Sequence, residues 1–364
     1  MDWRLMMSMY LSIDIGGTFT KLGLFRVGEQ TVQDAKSEIE CQSDFDCRPE
    51  FVCRPELVGR MEIPTRTEDE GVHIMPDIND AAQKLIEENA LTFADLRGVG
   101  FGVPGPVLPA DDRGMPIDGC VNLNWSGIHY IDEEFRALSG IEQISVVNDA
   151  NAAALGEYYF NPPVSEESGS AVMITLGTGI GGGIISDGKI ISGAFGAAGE
   201  IGHMPMSPAH PLLEKMCSID SSLQRSADLE YYASASGIVR MAKAALNEEA
   251  ADGDLLDDRS SLWDCEQLDA RAVIDAAKDG DATAVSVMDF FFDALGQGLA
   301  AVASVIDPEV FIIGGGVSAA GDYLLEGLRA SYRKYAFHVS RDAAFRLATL
   351  GNDAGLYGAL VPLL

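Results

Sequence analysis

Two segments of this chain share one pattern: an apolar run, a glycine turn and a second apolar run. The first is YLSIDIGGTFTKLGLFRV, starting at Tyr10, and the second is AVMITLGTGIGGGIISDGKII, starting at Ala171. The return arm of the first has period-two character at Thr20, Leu22 and Leu24 and no helical stripe. The spacing therefore predicts a hairpin, with strands over about 10–15 and 20–27. A chain that builds the same hairpin twice predicts a duplicated α/β domain, with one loop from each half reaching a ligand in an interdomain cleft.

The intervening sequence fits alternating strands and helices. A helix is expected at about 77–90, its stripe supplied by Ile78, Ala82, Leu85 and Ile86. LRGVGFGVPGPVL reads as a buried strand running into a Gly-Pro turn, and residues 130–138 as helical. ISVVNDANAAALGEYYF reads as a strand followed by a helix with Asp149 in its first turn and Ala150, Ala152, Ala153 and Ala154 allowing close packing. Residues 34–70 are polar and irregular, with CRPE at 47–50 repeated at 53–56, and read as an insertion. Past the serine-rich link PPVSEESGS, helices are expected at 224–250, 267–278 and 281–305. A strand EVFIIGGG, a helix at about 320–335 and a strand at 344–349 complete the series.

With 364 residues and 47% hydrophobic side chains, the chain can bury one large or two moderate cores. Its 25 basic against 56 acidic side chains, net charge −31, argue against a nucleic-acid partner, whose phosphates need Lys and Arg. Acidity does not exclude a phosphorylated ligand held in a local glycine nest. No apolar run approaches the roughly 20 residues of a membrane helix, and the opening MDWRLMMSMY lacks a signal-peptide pattern, so a cytoplasmic protein without a membrane partner is expected. Six scattered cysteines do not form a disulfide framework. Cys41, Cys47 and Cys53 recur at a spacing of six, which is not a tight metal knuckle.

Asp14-Ile15-Gly16-Gly17-Thr18 sets a carboxylate and a hydroxyl around two glycines, where backbone N–H groups can crowd an anion and Lys21 can add a charge. An ordinary tight hairpin explains this loop alone equally well, and it matches neither G-x-G-x-x-G nor G-x-x-x-x-G-K-[ST]. Gly177-Thr178-Gly179 and Gly314-Gly315-Gly316 follow two further apolar strands, and three such loops together point to a nucleotide. Asp149, beside Asn148, stands at a strand-to-helix junction that suits either a helix cap or a general base. Asp14 could hold Mg²⁺ directly or through water. Glu200 and His203 could grip two hydroxyls of a polyol or form a capped turn. Glu230, Asn122 and Asn124 are weaker candidates taken singly.

The ordered motifs DIGGT, GVPGPV, NLNW, NDANAAALGE, GTGIGGG and GEIGH resemble those of the ROK family of bacterial sugar kinases and repressors, most closely its glucokinase branch. The resemblance covers nearly all of the chain, least at 34–62 and 207–228. It implies an actin-like/hexokinase (ribonuclease H-like) α/β fold with an interdomain cleft, split as 1–151 plus 346–364 against 152–345, and a homodimer. It implies ATP and Mg²⁺ as cofactors and a hexose as substrate. Asp149 would be the catalytic base, and Asn148, Glu200, His203, Glu230 and one of Asn122 or Asn124 would bind sugar hydroxyls. The loops at 16–18 and 177–179 would hold ATP phosphates, and Gly315 and Gly316 the nucleoside side.

Glucose phosphorylated at O6 is the leading expectation; fructose, allose, mannose, N-acetylmannosamine and N-acetylglucosamine are the alternatives within the family. A non-catalytic sugar-responsive regulator, or a phosphotransferase with a non-sugar acceptor, are alternatives outside it. The family's repressors carry a helix-turn-helix domain ahead of the DxGGT-like motif, which here begins at Asp14. Many members also bind zinc through the His of GExGH and a C-x-C-G-x-x-G-C-L-E cluster. Here CSIDSSLQRSADLE follows His203, so only Cys217 remains and Asp228 stands where the last cysteine would be. One His and one Cys do not make a four-ligand site, and no zinc is expected.

Overall fold

In a computed structural model, which describes residues 7–28, 54–161, 169–219, 223, 226–252 and 259–364, the opening hairpin folds as its alternation predicts. β1 (Met7–Ile15) pairs antiparallel with β2 (Phe19–Gly28). Cys41, Cys47 and Cys53 lie outside the described residues. The chain divides into two compact units. One comprises the described residues through 161 with 188–198 and 352–364, and the other 169–187 with 199–351. The division between these units falls at the far end of a helix, 149–160.

The first unit continues with β3 (Glu56–Pro64), α1 (Ile74–Glu88), β4 (Leu96–Val103), a ribbon of β5 (Ile117–Cys120) and β6 (Trp125–His129), α2 (Ile131–Ser139), β7 (Ile144–Asn148) and α3 (Asp149–Phe160). Its sheet has the order β3-β2-β1-β4-β7, with β1, β4 and β7 parallel. Parallel strands are covered on both faces and so read as nearly continuous apolar runs. Leu11, Ile13, Ile15, Val99, Phe101 and Val103 are accordingly fully buried. The expected stripe of α1 is buried too, and Ile74 and Met75 extend it one turn earlier. β3 overturns the expectation that 34–70 is irregular throughout. It is an edge strand with only partly buried side chains, paired to β2, so its sequence lacks a clean apolar face.

The C-terminal helix, Ala354–Leu360, is seated on this sheet. The Ser12 hydroxyl on β1 donates to the Leu356 carbonyl (2.6 Å), and the Ser145 hydroxyl on β7 donates to the Ala359 carbonyl (3.2 Å). Between them Gly100 on β4 lies against the Ala359 carbonyl, and Gly358 lies against the Ala152 carbonyl of α3. A Cβ at either glycine would overlap backbone, so the helix can approach this closely only where side chains are absent.

The second unit contains β8 (Ala171–Leu176), β9 (Ile180–Ser186), β10 (Pro205–Met206), α4 (Pro211–Ile219), β11 (Ala227–Asp228), α5 (Leu229–Ala233) and α6 (Ala235–Asp252). α7 (Ala270–Lys278), α8 (Ala282–Ile306), β12 (Val310–Gly314), α9 (Asp322–Tyr335) and β13 (Ala344–Leu347) follow. The order β9-β8-β12-β13, an antiparallel hairpin followed by two parallel neighbours, repeats the order β2-β1-β4-β7. This repetition is the duplication that the two hairpins predict.

The single helix expected at 224–250 is instead β11, α5 and α6. Asp228 caps α5, and Ser234, in extended conformation, separates α5 from α6. α8 is long and apolar enough to cross a membrane by length and composition, yet 67% of its most apolar window is buried within the protein. Asp289 and Asp293 interrupt it, and it packs on α6, α7 and α9 as the central helix of its unit.

Gly358→Ala should destabilise the protein by ~3 kcal/mol, the scale of an overpacked core site whose neighbour is backbone. Gly28→Ala, where a Cβ meets only the end of Met7 at 4.0 Å, should shift stability by less than ~0.5 kcal/mol. Urea unfolding of the two variants beside the unsubstituted protein measures both values, and equal midpoints would refute the close seating of the helix.

Candidate active site

The carboxyl ends of β1, β4 and β7 carry one set of the expected residues. The register sets Asp14 opposite Gly102 and Val103 opposite Asn148, so the loops that follow these strands emerge along one edge, where open α/β sheets take ligands. Asp14 is largely buried, 3.8 Å from the Lys21 ammonium and packed against Gly355 at the start of the C-terminal helix. Burial pushes its carboxyl above the ordinary range; Lys21 works against this, and Asp353 adds to it. The Lys21 ammonium also donates to the Asn352 carbonyl (3.2 Å).

The loop after β1 is closed by the Gly16 N–H donating to the Phe19 carbonyl (3.0 Å). It is braced from beyond β3, where the Thr65 hydroxyl donates to the Gly16 carbonyl (2.7 Å) and the Thr65 N–H to the Thr18 carbonyl (2.9 Å). Gly17 abuts Asn122, whose carbonyl would lie 3.1 Å from a Cβ there, and Thr18 is exposed. Asn122 is exposed in the turn Val121–Leu123, whereas Asn124, left-handed at φ 57°, donates its side-chain amide to the Thr67 carbonyl (3.2 Å). Thr65 and Asp353 carry no motif that announces them; each reaches the loop or Asp14 through long-range pairing.

At the end of β7 the two readings of Asp149 separate. The cap of α3 is Asn148, whose side-chain oxygen accepts the Asn151 N–H (3.1 Å) while its amide donates to the Gly105 carbonyl (3.1 Å). Asp149 occupies the first turn with an exposed side chain, its Oδ1 accepting the Ala150 N–H (2.8 Å). A carboxylate held at a helix N-terminus by rigid backbone is well placed to meet a hydroxyl from solvent.

The second unit gathers the other set. Gly177 and Gly179 close the loop after β8, with the Gly177 N–H donating to the Gly179 carbonyl (3.0 Å) and Thr178 exposed between them. Gly315 follows β12 with φ 82° and lies against Leu176 at the end of β8, which brings the two glycine loops side by side. A Cβ at Gly177 or Gly316 would meet nothing within 4 Å, so packing within the unit does not account for these two glycines. Open space beside a glycine backbone lets a phosphate oxygen approach it closely.

Glu200 and His203 project from a turn, Ile201–His203, that lies on β9. Gly199 at φ 95° lies against the Gly182 carbonyl and Gly202 against the Ile180 carbonyl, so the turn's glycines face the strand and its two polar residues are exposed. Glu230, in the first turn of α5, rests directly on the 177–179 loop, its Oε2 accepting the Ile180 N–H (2.8 Å). Nδ1 of His203 lies 3.6 Å from Oδ2 of Asp228, and the Cys217 thiol faces the Leu223 carbonyl (3.8 Å). Among the described residues this donor set is too small for a zinc site: His203 and Asp228 stand together with no third metal-ligating side chain, and the thiol is turned to a backbone carbonyl.

The ROK family profile matches residues 58–363. A glucokinase of Halalkalibacterium halodurans is 35% identical over 353 residues, 96% of this chain and 93% of that one. An N-acetyl-D-glucosamine kinase of Mannheimia succiniciproducens is 29% identical over 283 residues, 77% of this chain and 84% of its own. Among solved structures, the ROK family glucokinase of Streptomyces griseus in complex with glucose and AMPPNP is 29% identical, covers 97% of this chain and 98% of that one, and superposes with a TM-score of 0.64. The fold is accordingly the actin-like/hexokinase α/β fold, each unit built on a sheet led by a hairpin. With family-specific sequence running from β3 to beyond the C-terminal helix, the chain belongs to the ROK family.

Proposed function

We propose that this ROK-family sugar kinase transfers the γ-phosphoryl group of ATP to the 6-hydroxyl of glucose, with Asp149 as the general base. The observation that carries the reading is the division of labour at the end of β7: Asn148 caps α3, and the Asp149 carboxylate next to it is exposed. Glucose as the acceptor is supported by the glucokinase relative at 35% identity. The N-acetyl-D-glucosamine kinase relative makes an N-acetylhexosamine the second reading.

The sugar hydroxyls meet Asn148, Glu200, His203 and Glu230, with Asn122 or Asn124 as the loop asparagine; Asn124 also donates to the Thr67 carbonyl, as Asn148 does to that of Gly105. Asp149 accepts the O6 proton as the bond from O6 to phosphorus forms and the bond from phosphorus to the ADP oxygen breaks. Backbone N–H groups of residues 16–18 and 177–179, with Lys21, hold the phosphates, and Gly315 and Gly316 border the nucleoside. Asp14, with Asp353 near it, fits Mg²⁺, which takes one or two carboxylates plus water and phosphate and, when bound, neutralises charge on the phosphates. From the family resemblance and the use of ATP we infer a cytoplasmic homodimer.

Product formation followed by mass spectrometry across glucose, mannose, fructose, allose, N-acetylglucosamine and N-acetylmannosamine tests the reading. Glucose should turn over fastest, and Asp149→Asn should lower kcat about 10³-fold while ATP still binds. No product from any sugar, in folded protein that binds ATP, would refute it.

Asp14 gives a second test. A buried carboxyl with a raised pKa opposes folding once it is ionised, so its cost is absent below the ordinary carboxylate range and grows as pH rises through and above that range. Asp14→Asn should therefore be more thermostable than the unsubstituted protein at pH 7, with the gap closing on acidification, and should lose kinase activity. A gap that widens on acidification would contradict the assigned burial.

A further inference from the structure

We propose that Asp228 is a positioning residue for the sugar site: one carboxylate orients the His203 imidazole and sets the helix that carries Glu230. The inference rests on the sugar-binding reading of His203 and Glu230 given above. Asp228 and His203 are held near each other by backbone, independently of their side chains. β10 pairs with β11 with Pro205 opposite Asp228, and the Leu229 N–H donates to the Met204 carbonyl (2.9 Å). The two oxygens of Asp228 then divide. Oδ1 accepts the Tyr231 N–H (3.0 Å) as the cap of α5, and Oδ2 faces Nδ1 of His203 at 3.6 Å.

Each half of that division has a consequence for a sugar hydroxyl. The His203 ring is two-thirds exposed, so core packing does not set its orientation. A carboxylate beside Nδ1 favours the tautomer with its proton there and leaves Nε2 as an acceptor. The 3.6 Å separation is longer than a hydrogen bond and closes with a small rotation of the ring, as such contacts do when substrate orders a site. On the other side, the cap fixes the first turn of α5, where Glu230 spends Oε2 on the Ile180 N–H and keeps Oε1 for a hydroxyl. In the zinc-binding members that the sequence resembles, a cysteine on the metal stands at this place. Here a carboxylate takes over the orienting of the histidine without a metal.

A double-mutant cycle with Asp228→Asn and His203→Asn tests this, using the sugar that turns over fastest in the panel. Asparagine caps a helix as well as aspartate does but sets an amide in place of one carboxylate oxygen. Asp228→Asn should therefore unfold at the same temperature as the unsubstituted protein, raise the KM for sugar about tenfold and leave the KM for ATP unchanged. Asp228→Ser, which also caps but is too short to reach His203, should do the same. Added to His203→Asn, Asp228→Asn should raise the sugar KM no further.

An unchanged sugar KM in Asp228→Asn, with His203→Asn impaired, would overturn the inference and leave the sugar site standing. A full tenfold effect persisting on top of His203→Asn would also overturn the orienting of the histidine. A His203→Asn variant with an unchanged sugar KM would overturn the underlying reading of His203, and the inference with it.

Discussion

The first unit is organised by the seating of the short C-terminal helix on the sheet. Ser12 and Ser145 donate to its carbonyls from two strands, and Gly100 and Gly358 remove the side chains that would hold it off. The same contacts reach both carboxylates of this unit's candidate site. Gly355 packs on Asp14 at the end of β1, and Gly358 packs on α3, whose first residue is Asp149. A shift of this helix would therefore expose Asp14 to water and move Asp149 together, since packed interiors transmit displacement rather than absorb it. The last residues of the chain thus complete a site whose first residues are at its start.

The two units repeat one strand order but distribute chemistry differently along it. At the strand ends of the first unit stand charged groups, Asp14 and Asp149, with Lys21 beside the former. At those of the second stand glycines, two of them with open space where a side chain would be. A chain with net charge −31 repels a polyphosphate at long range, so any attraction has to be local. In the proposed phosphate site backbone N–H groups supply it without adding basic side chains, and Lys21 is a cation 3.8 Å from the Asp14 carboxylate.

Most of the framework was legible because it is local. Both hairpins, the stripe of α1 and the strand-to-helix step at Asp149 follow from spacing within a few residues. β3 was not legible: ELVGRMEIP is an edge strand with no fully buried side chain, and its partner β2 is what makes it a strand. The break between α5 and α6 depends on a cap at Asp228 and an extended Ser234 inside a stretch whose apolar spacing reads as one helix. The ordered motifs named the candidate site residues. They were silent on the braces, because Thr65 at the first loop and Asp353 near Asp14 arrive by pairing distant stretches of chain. For the same reason the sequence could place Asp228 at the position of a lost cysteine without showing that it faces His203.

Asp14 and Asp228 are carboxylates under opposite constraints. Asp14 is taken out of water, and its ionised form is costly enough that burial outweighs the nearby lysine. Under the proposed reading such a group is kept for what it does for a cation or a phosphate, since an apolar residue would fold better there. Asp228 stays partly in water, where facing a histidine at 3.6 Å contributes little to stability, and its cap on α5 is worth about 1 kcal/mol. A metal that tied the same histidine into the fold would make that turn depend on metal supply, because ligand binding free energy becomes folding free energy. With a carboxylate, folding and orientation are separable: the backbone pairing of β10 and β11 holds the turn, and the charge only aims the ring. That separation explains how the family's GExGH turn can persist in a chain without the cysteine cluster.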